Sequence, residues 1–195
     1  PKAKPNKAEQ RFESQIADLG ISCEACHGPG QEHVERQLRL AKLPNRERRK
    51  ALESEPLSIV QPADLDHTRS SHVCGSCHGM KWFDKSENWT AHGFSYRPGD
   101  DLTKTTPIIQ PTQLDQQPWL KTVLEKNPGI LEDFFWSDGK IRVTGREYNG
   151  LLESPCHQRG SMSCLSCHSM HKSDPDDQLA RGMRTNRACL QCHED

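Results

Sequence analysis

The chain has 195 residues, a formal net charge of -1 and a strongly polar composition. Leu, Ile, Val and Phe make up 34 residues, or about 17%, which is below the roughly 20% at which a chain usually buries a hydrophobic core. The balanced charge argues against a nucleic-acid partner, and no apolar run approaches the roughly 18 residues of a membrane-spanning helix. Nine cysteines and ten histidines argue against disorder and predict that something other than aliphatic side chains fills the interior.

The first elements of the chain are predicted to be short. Residues 1–7 are rich in Pro and Lys and predict a flexible N-terminal arm, and the next segment, Ala8–Leu19, predicts a short helix. The charged segments Gln31–Leu43 and Asn45–Glu53 predict two surface helices that Pro44 separates.

The longest stretch without paired cysteines is Lys81–Ser163, and its many Pro and Gly residues predict that it is mostly loop. One short β-hairpin is expected near 134–144, where Asp138 and Gly139 form the two-residue turn. No sequence repeat divides the chain, so residues 1–195 are predicted to be a single domain.

Eight of the nine cysteines form four pairs with two residues between them, and each pair is followed at once by His. The four motifs are Cys23, Cys26 and His27; Cys74, Cys77 and His78; Cys164, Cys167 and His168; and Cys189, Cys192 and His193. This is the attachment signature of c-type haem, in which two thiols bond to one porphyrin and the adjacent His is the proximal ligand of the iron. Two zinc sites, or a thioredoxin-like redox pair, would also use paired cysteines, but neither requires that His.

The sequence therefore predicts four covalently attached haem c groups, each with its iron. Their large apolar surfaces can replace a Leu-rich core, so the expected fold class is mostly α and irregular, with the chain wrapped around four close-packed haems. Folding is expected to depend on haem, as small metal domains depend on their metal. Attachment of this kind takes place outside the cytoplasm and predicts a periplasmic or extracellular protein. The chain starts at Pro1 and not at Met, so we expect it to be a processed form.

The second axial ligand of each iron decides between electron transfer and catalysis. The remaining histidines are His33, His67, His72, His92, His157 and His171. Four of them would give every haem two His ligands and a low potential, which suits electron transfer. We expect His33, His171, His72 and His92 to be these ligands, with His67 and His157 as further candidates. His33 and His171 are each expected to reach a haem other than the one attached beside them.

Cys156 has no partner in a motif. A lone cysteine in an exported protein can pair between chains, bind a metal or lie buried and inert. Burial beside the third haem is the favoured interpretation.

Three segments together resemble multihaem cytochromes of the cytochrome c-554 type, including those fused to tetratricopeptide repeats. They are Ile21–Val34, Tyr96–Leu102 and Glu153–His171, and the resemblance extends over most of Ile21–His193. The resemblance implies a scaffold of helices and loops around close-packed haems with mostly two His ligands, in an exported electron carrier. It also implies that His33 and His171 are distal ligands. Longer relatives have a further attachment motif and helical repeats that are missing here.

Three functions remain open from the sequence. A tetrahaem carrier, with no catalysis of its own, would exchange electrons with redox partner proteins or extracellular acceptors. A homopolymer with haem contacts between subunits would be an extracellular filament, or nanowire, because terminal haem edges are expected to be exposed. An oxidoreductase acting on a small nitrogen or sulfur compound would need an open iron. The carrier is favoured, and no catalytic residue is assigned.

Overall fold

The computed structural model describes residues 2–6, 8–15, 20–83, 86–171 and 178–193. These residues form short helices joined by irregular segments, with little strand, which confirms the predicted fold class. The α-helices are α1 Glu24–His27, α2 Gln31–Ala41, α3 Asn45–Ser54, α4 His67–His78, α5 Ser86–His92, α6 Pro118–Lys126, α7 Ile130–Phe134, α8 Glu147–Glu153, α9 Pro155–Gln158 and α10 Arg187–Leu190. Short 3-10 helices span Pro62–Asp64, Leu102–Lys104, Pro111–Gln116 and Cys164–Ser166.

The N-terminal segment forms a two-stranded antiparallel hairpin instead of the predicted helix. Strand β1, Lys2–Asn6, pairs with strand β2, Arg11–Gln15, so that Lys2 lies opposite Gln15. The prediction of a helix over Ala8–Leu19 was therefore wrong at residues 11–15, while residues 16–19 lie outside the described part of the chain. A helix of that length is marginal without tertiary contacts, whereas the strand gains hydrogen bonds from its partner. The mobility expected of the segment 1–7 stays a prediction.

The two charged surface helices are confirmed as α2 and α3. Pro44 precedes the first turn of α3. An N–H at this position would have no hydrogen-bond partner within the helix, so proline is tolerated there. Leu40 of α2 is completely buried, whereas α3 buries none of its residues.

About half of the described residues of Lys81–Ser163 are helical, so the prediction that this stretch is mostly loop holds only in part, and the stretch contains an ordinary hydrophobic core that was not predicted. Leu120 and Val123 of α6 are buried against Ile109 and Phe135. Pro118 occupies the first turn of α6, and the apolar residues that follow it have helical spacing. A second cluster joins Tyr96, Leu102, Ile108 and Tyr148.

The expected hairpin near 134–144 is present only as a tight turn. Phe135 and Ile141 form one isolated antiparallel bridge, and the Trp136 N–H donates to the Lys140 carbonyl. Gly139 has φ +82°, which suits the Asp-Gly turn. Regular strands do not extend from it in the described residues, because Phe134 ends α7.

Helix α4 is the centre of the fold for function, because it carries the second attachment motif at its C-terminal end. It packs against α1, which carries part of the first motif, and against the 3-10 helix Cys164–Ser166, which begins the third motif. Helix α8 covers another side of α4. In the described part of the chain, no helix has both the length and the apolar character needed to cross a bilayer.

Candidate haem sites

Each attachment motif lies in a helix or a tight turn. The first motif begins at the residue before α1, the second ends α4, the third begins in a 3-10 helix, and the fourth overlaps α10. In helical structure, side chains three residues apart lie on the same side. The two thiols of each motif are therefore placed for bonding to one porphyrin.

The proximal histidine of the first motif is held in the orientation that an iron ligand needs. His27 Nδ1 lies 2.7 Å from the Val60 carbonyl oxygen, and the Val60 N–H donates to the His27 carbonyl at 3.0 Å. Since Nδ1 donates its proton to the carbonyl, the lone pair of Nε2 is available for a metal. The segment at 60 thus fixes both the tautomer and the direction of the ring.

His78 of the second motif has a carboxylate in the same position. Its Nδ1 lies 3.1 Å from Glu147 Oε2, and Glu147 lies at the start of α8. Burial opposes ionisation of Glu147, but N–H donors at Glu147 and Gly145 together with His78 lower the pKa of this carboxyl overall. An ionised carboxylate behind the ring makes His78 a stronger electron donor to a metal.

Cysteines of neighbouring motifs lie close to one another. Helix α4 packs against the 3-10 helix Cys164–Ser166, and the nearby Cys164 thiol together with burial raises the pKa of Cys74. Burial also raises the pKa of Cys26, and the nearby thiols of Cys77 and Cys23 raise it further. The second motif is therefore adjacent both to the first and to the third.

The third and fourth motifs are adjacent in the same way. Gln191, between the two cysteines of the fourth motif, donates from Nε2 to the Ser166 carbonyl at 3.2 Å and lies 4.0 Å from the Cys167 sulfur. Burial raises the pKa of Cys167, and the thiols of Cys189 and Cys192 act in the same direction. The four motifs thus follow one another in space in their sequence order.

An open pocket of about 350 Å³ lies between the first two motifs. Its lining includes Ala25 and Cys77, which belong to these motifs, and Phe94, Tyr96 and Pro98 from the segment after α5. The hydroxyl of Tyr96 is buried without a hydrogen-bond partner, and burial raises the pKa of Tyr96 to about 12. An apolar pocket beside attachment thiols suits the flat face of a porphyrin.

The side chains fit haem better than a bare metal ion. All nine cysteines are free thiols, and the described residues contain no group of three or more His, Cys, Asp or Glu side chains that could hold a metal ion. A haem iron needs only one or two protein ligands, because the porphyrin supplies the other four nitrogens. Paired thiols with one oriented imidazole meet that requirement.

Comparison with known proteins agrees with this chemistry. Residues 155–195 match a family model described as a doubled CXXCH motif. The match covers the third and fourth motifs and well under half of the chain. This doubled motif fits a multihaem c-type cytochrome with covalently bound haem c, and it points to electron transfer. No curated protein and no solved structure matches the chain.

The structure brings His171 to the proximal histidine of the first motif. The rings of His27 and His171 are nearly parallel, with an angle of 15° between their planes and 5.7 Å between their centroids. This separation exceeds the roughly 3.5–4.0 Å of van der Waals contact. His171 thus lies beside a motif other than the one that precedes it in the sequence, and its role as a haem ligand stays a prediction.

His157 was ranked below the four expected distal ligands, and the structure leaves one of its ring nitrogens without a bond to the Met162 carbonyl. It is buried, and its Nδ1 lies 2.7 Å from the Met162 carbonyl, which leaves Nε2 available as in His27. Its ring lies 5.0 Å from that of His67. The sequence signal for the helix that positions His157 was Ser154-Pro155. The Ser154 hydroxyl caps α9, and Pro155 occupies its first turn.

His72 does not fit the ligand role expected of it. The Leu102 N–H donates to His72 Nδ1 at 3.2 Å, so the neutral ring carries its proton on Nε2. Burial lowers the pKa of His72, which keeps the ring neutral, and the ring packs edge-on against Tyr148. His72 is a core residue of α4, and a protonated Nε2 has no lone pair for iron.

The other predicted residues lie at separate positions. His33 is half-buried on α2, and its Nδ1 is buried without a hydrogen-bond partner. His92 is exposed at the end of α5. His168 forms a bridge to Leu179, and His193 is exposed near the end of the described chain.

The expected burial of Cys156 beside the third haem stays a prediction. Cys156 is exposed on α9, whereas its neighbour His157 is buried. Only one side of α9 faces the interior, and that side carries the imidazole of His157.

Proposed function

We propose that this protein is a tetrahaem electron-transfer cytochrome in which electrons pass along the motifs in sequence order. One haem c is attached at each motif: Cys23, Cys26 and His27; Cys74, Cys77 and His78; Cys164, Cys167 and His168; Cys189, Cys192 and His193. Bound haem c supplies an iron that takes up and releases one electron. The observation that carries the proposal is that each motif lies beside the one that follows it in the sequence.

The continuity of this series supports transfer over storage at isolated sites. Packing of α4 against the 3-10 helix Cys164–Ser166 brings the second and third motifs together, and packing of α1 against α4 brings the first and second together. Gln191 joins the fourth motif to the third. Because electron tunnelling weakens steeply with distance, a path through neighbouring sites is faster than one that skips a site.

Two histidines per iron form the second part of the proposal. His171 lies beside His27, with 5.7 Å between the ring centroids, and is therefore assigned as the second ligand of the iron that His27 binds. His157 is a second distal ligand, because Met162 holds its Nδ1 and leaves Nε2 available. His33 and His92 are assigned to the remaining irons from the sequence.

Ligation on both sides supports a carrier rather than an enzyme, because no coordination position then remains for a substrate. The resemblance to the cytochrome c-554 type supports the same function. We place the protein in the periplasm or outside the cell, because c-type attachment requires export, and its partners are redox proteins or extracellular acceptors.

Assembly into a filament stays a prediction from the sequence. Negative-stain electron microscopy tests it directly: regular rods would support a homopolymer. A monodisperse small species in light scattering across a range of salt concentrations would count against it.

The proposal is tested with the exported protein carrying His171→Ala. Intact mass should show four covalently attached haems in the wild type and in the variant, because His171 attaches nothing to the porphyrin. One haem of the reduced variant should bind carbon monoxide, whereas the wild type should not. Met170→Ala is the matched control, since Met170 is the exposed neighbour of His171 and should leave the spectrum unchanged. Fewer haems in the wild type would refute the proposed number, and an unresponsive variant would refute the ligand.

A further inference from the structure

Helix α2 buries a guanidinium group that is only partly paired. The side chain of Arg36 is 8% exposed, and its Nε and Nη1 have no hydrogen-bond partner. One bond is present, from Nη2 to the Glu55 carbonyl oxygen at 3.2 Å. Burying N–H donors of a charged group without partners is costly, so this arrangement calls for a ligand.

Glu55 does not complete the pairing of Arg36, because a second arginine already occupies it. Arg39 donates from both terminal nitrogens to the two carboxylate oxygens of Glu55, at 3.3 and 2.5 Å. This hydrogen bond lowers the pKa of Glu55 and keeps it ionised. Arg36 Nε lies 3.4 Å from one of the same oxygens but lacks hydrogen-bond geometry. Two positive charges thus share one negative charge.

No other carboxylate in the described part of the chain lies within ion-pair distance of Arg36. A second donor without a partner, the buried hydroxyl of Ser58, lies in the segment that follows Glu55. The missing group is therefore an acceptor with negative charge.

The position of this cluster points to the first haem. The segment from Glu55 to Val60 connects the two sites, because Arg36 binds the Glu55 carbonyl and His27 exchanges two hydrogen bonds with Val60. Helix α2 itself begins four residues after His27. A haem held by His27 carries two ionised propionates, and arginine binds carboxylates through two parallel N–H bonds.

We propose that Arg36, with the Ser58 hydroxyl, binds a propionate of the haem attached at the first motif. The inference rests on the proposed attachment of haem at that motif. The free Nε and Nη1 donors of Arg36 bind the carboxylate. The negative charge of the propionate balances the positive charge of Arg36 and Arg39 that Glu55 does not neutralise. A cation beside a propionate weakens the negative field at the iron and thereby favours the reduced state.

The test compares Arg36→Gln with Arg39→Gln in the exported, haem-loaded protein. Both substitutions remove one partner of Glu55, but only Arg36 has the buried donors without partners. Redox titration of Arg36→Gln should show one of the haems shifted to a more negative potential, while Arg39→Gln keeps all potentials of the wild type. Equal potentials in the two variants would overturn the proposal and leave Arg36 as a structural ion pair.

A second variant covers the case in which Arg36→Gln does not accumulate. Arg36→Lys keeps the charge and the alkyl stem but loses the fork of donors. The resonance Raman band of propionate bending should differ between Arg36→Lys and the wild type, and an unchanged band would overturn the assignment. Ser58→Ala should move the same band by a smaller amount.

A free anion could in principle use the same donors, and inorganic phosphate distinguishes the two sources. Wild-type potentials that do not move on adding phosphate at constant ionic strength support the propionate. Potentials that follow the phosphate concentration would assign the site to a free anion and overturn the proposal. Haem content, measured in every sample by the pyridine haemochrome assay, separates this outcome from failure of the proposed function, since a protein without haem at the first motif would lack that haem altogether.

Discussion

Residues 107–153 and residues 155–193 bury their side chains in different ways. The first region packs Ile109, Leu120, Val123 and Phe135 into an ordinary hydrophobic cluster. In the second region, which the doubled motif covers, His157 is the one buried side chain among the described residues. Apolar packing therefore stabilises the first region, whereas the second depends on the two haems proposed for it.

The largest expected effect comes from preventing haem attachment. Protein made without haem should lose its structure at 155–193, because that region has no apolar core of its own, while α6 keeps part of its protection. Hydrogen exchange followed by mass spectrometry measures both regions in one experiment. Equal protection of the two regions in the haem-free protein would contradict the comparison.

A substitution inside the hydrophobic cluster should have the next largest effect. Leu120 is completely buried, so Leu120→Ala should lower the free energy of unfolding by about 2–5 kcal/mol through lost contacts and a cavity. Leu190→Ala is the matched control, because Leu190 is half-exposed on α10 in the second region. Denaturant titration of both haem-loaded variants measures the difference in their free energies of unfolding. A similar loss of stability in the two variants would contradict the prediction.

Gly75 lies where the second motif meets the core, and its substitution should have a smaller effect. A Cβ atom at Gly75 would lie 2.7 Å from the ring of Tyr148 on α8, so Gly75→Ala should cost about 1–3 kcal/mol through overpacking. Gly150→Ala provides a control of opposite sign, because that helical position has nothing within 4 Å and alanine favours helix. Thermal unfolding of the pair checks the prediction, which fails if both variants are stabilised.

The smallest effect on stability is expected at His157. Methionine is similar in size and also binds haem iron, so His157→Met should preserve the fold and raise the potential of one haem. Gln158→Met, at the exposed neighbouring position, should change neither property. Redox titration distinguishes them, and an unshifted potential in His157→Met would remove it from the proposed ligands.

The four attachment motifs, α2 and α3 could be predicted from the sequence because each depends on local spacing. The motifs need only Cys and His at fixed separations, and the helices need only an apolar face and Pro44. The hydrophobic cluster was missed because its members lie far apart in the sequence, and frequent Pro and Gly concealed α6. The hairpin β1–β2 depends on pairing between segments that each have weak local preferences.

Ligand assignments were harder to predict because they depend on which ring nitrogen is available. We expected His72 rather than His157 to be a ligand, whereas the hydrogen bonds reverse that order: Leu102 donates to Nδ1 of His72, and Nδ1 of His157 faces the Met162 carbonyl. The surplus charge at Arg36 also depends on distant residues, since Glu55 is shared with Arg39.

The central claim is that four haems with two protein ligands each carry electrons and leave no iron open to substrate. The most direct test is the absorption spectrum of the dithionite-reduced wild-type protein before and after carbon monoxide is added. Our account predicts that the two spectra coincide. A carbonyl spectrum would show an open or labile iron, and the protein would then have to be treated as an oxidoreductase acting on a small molecule.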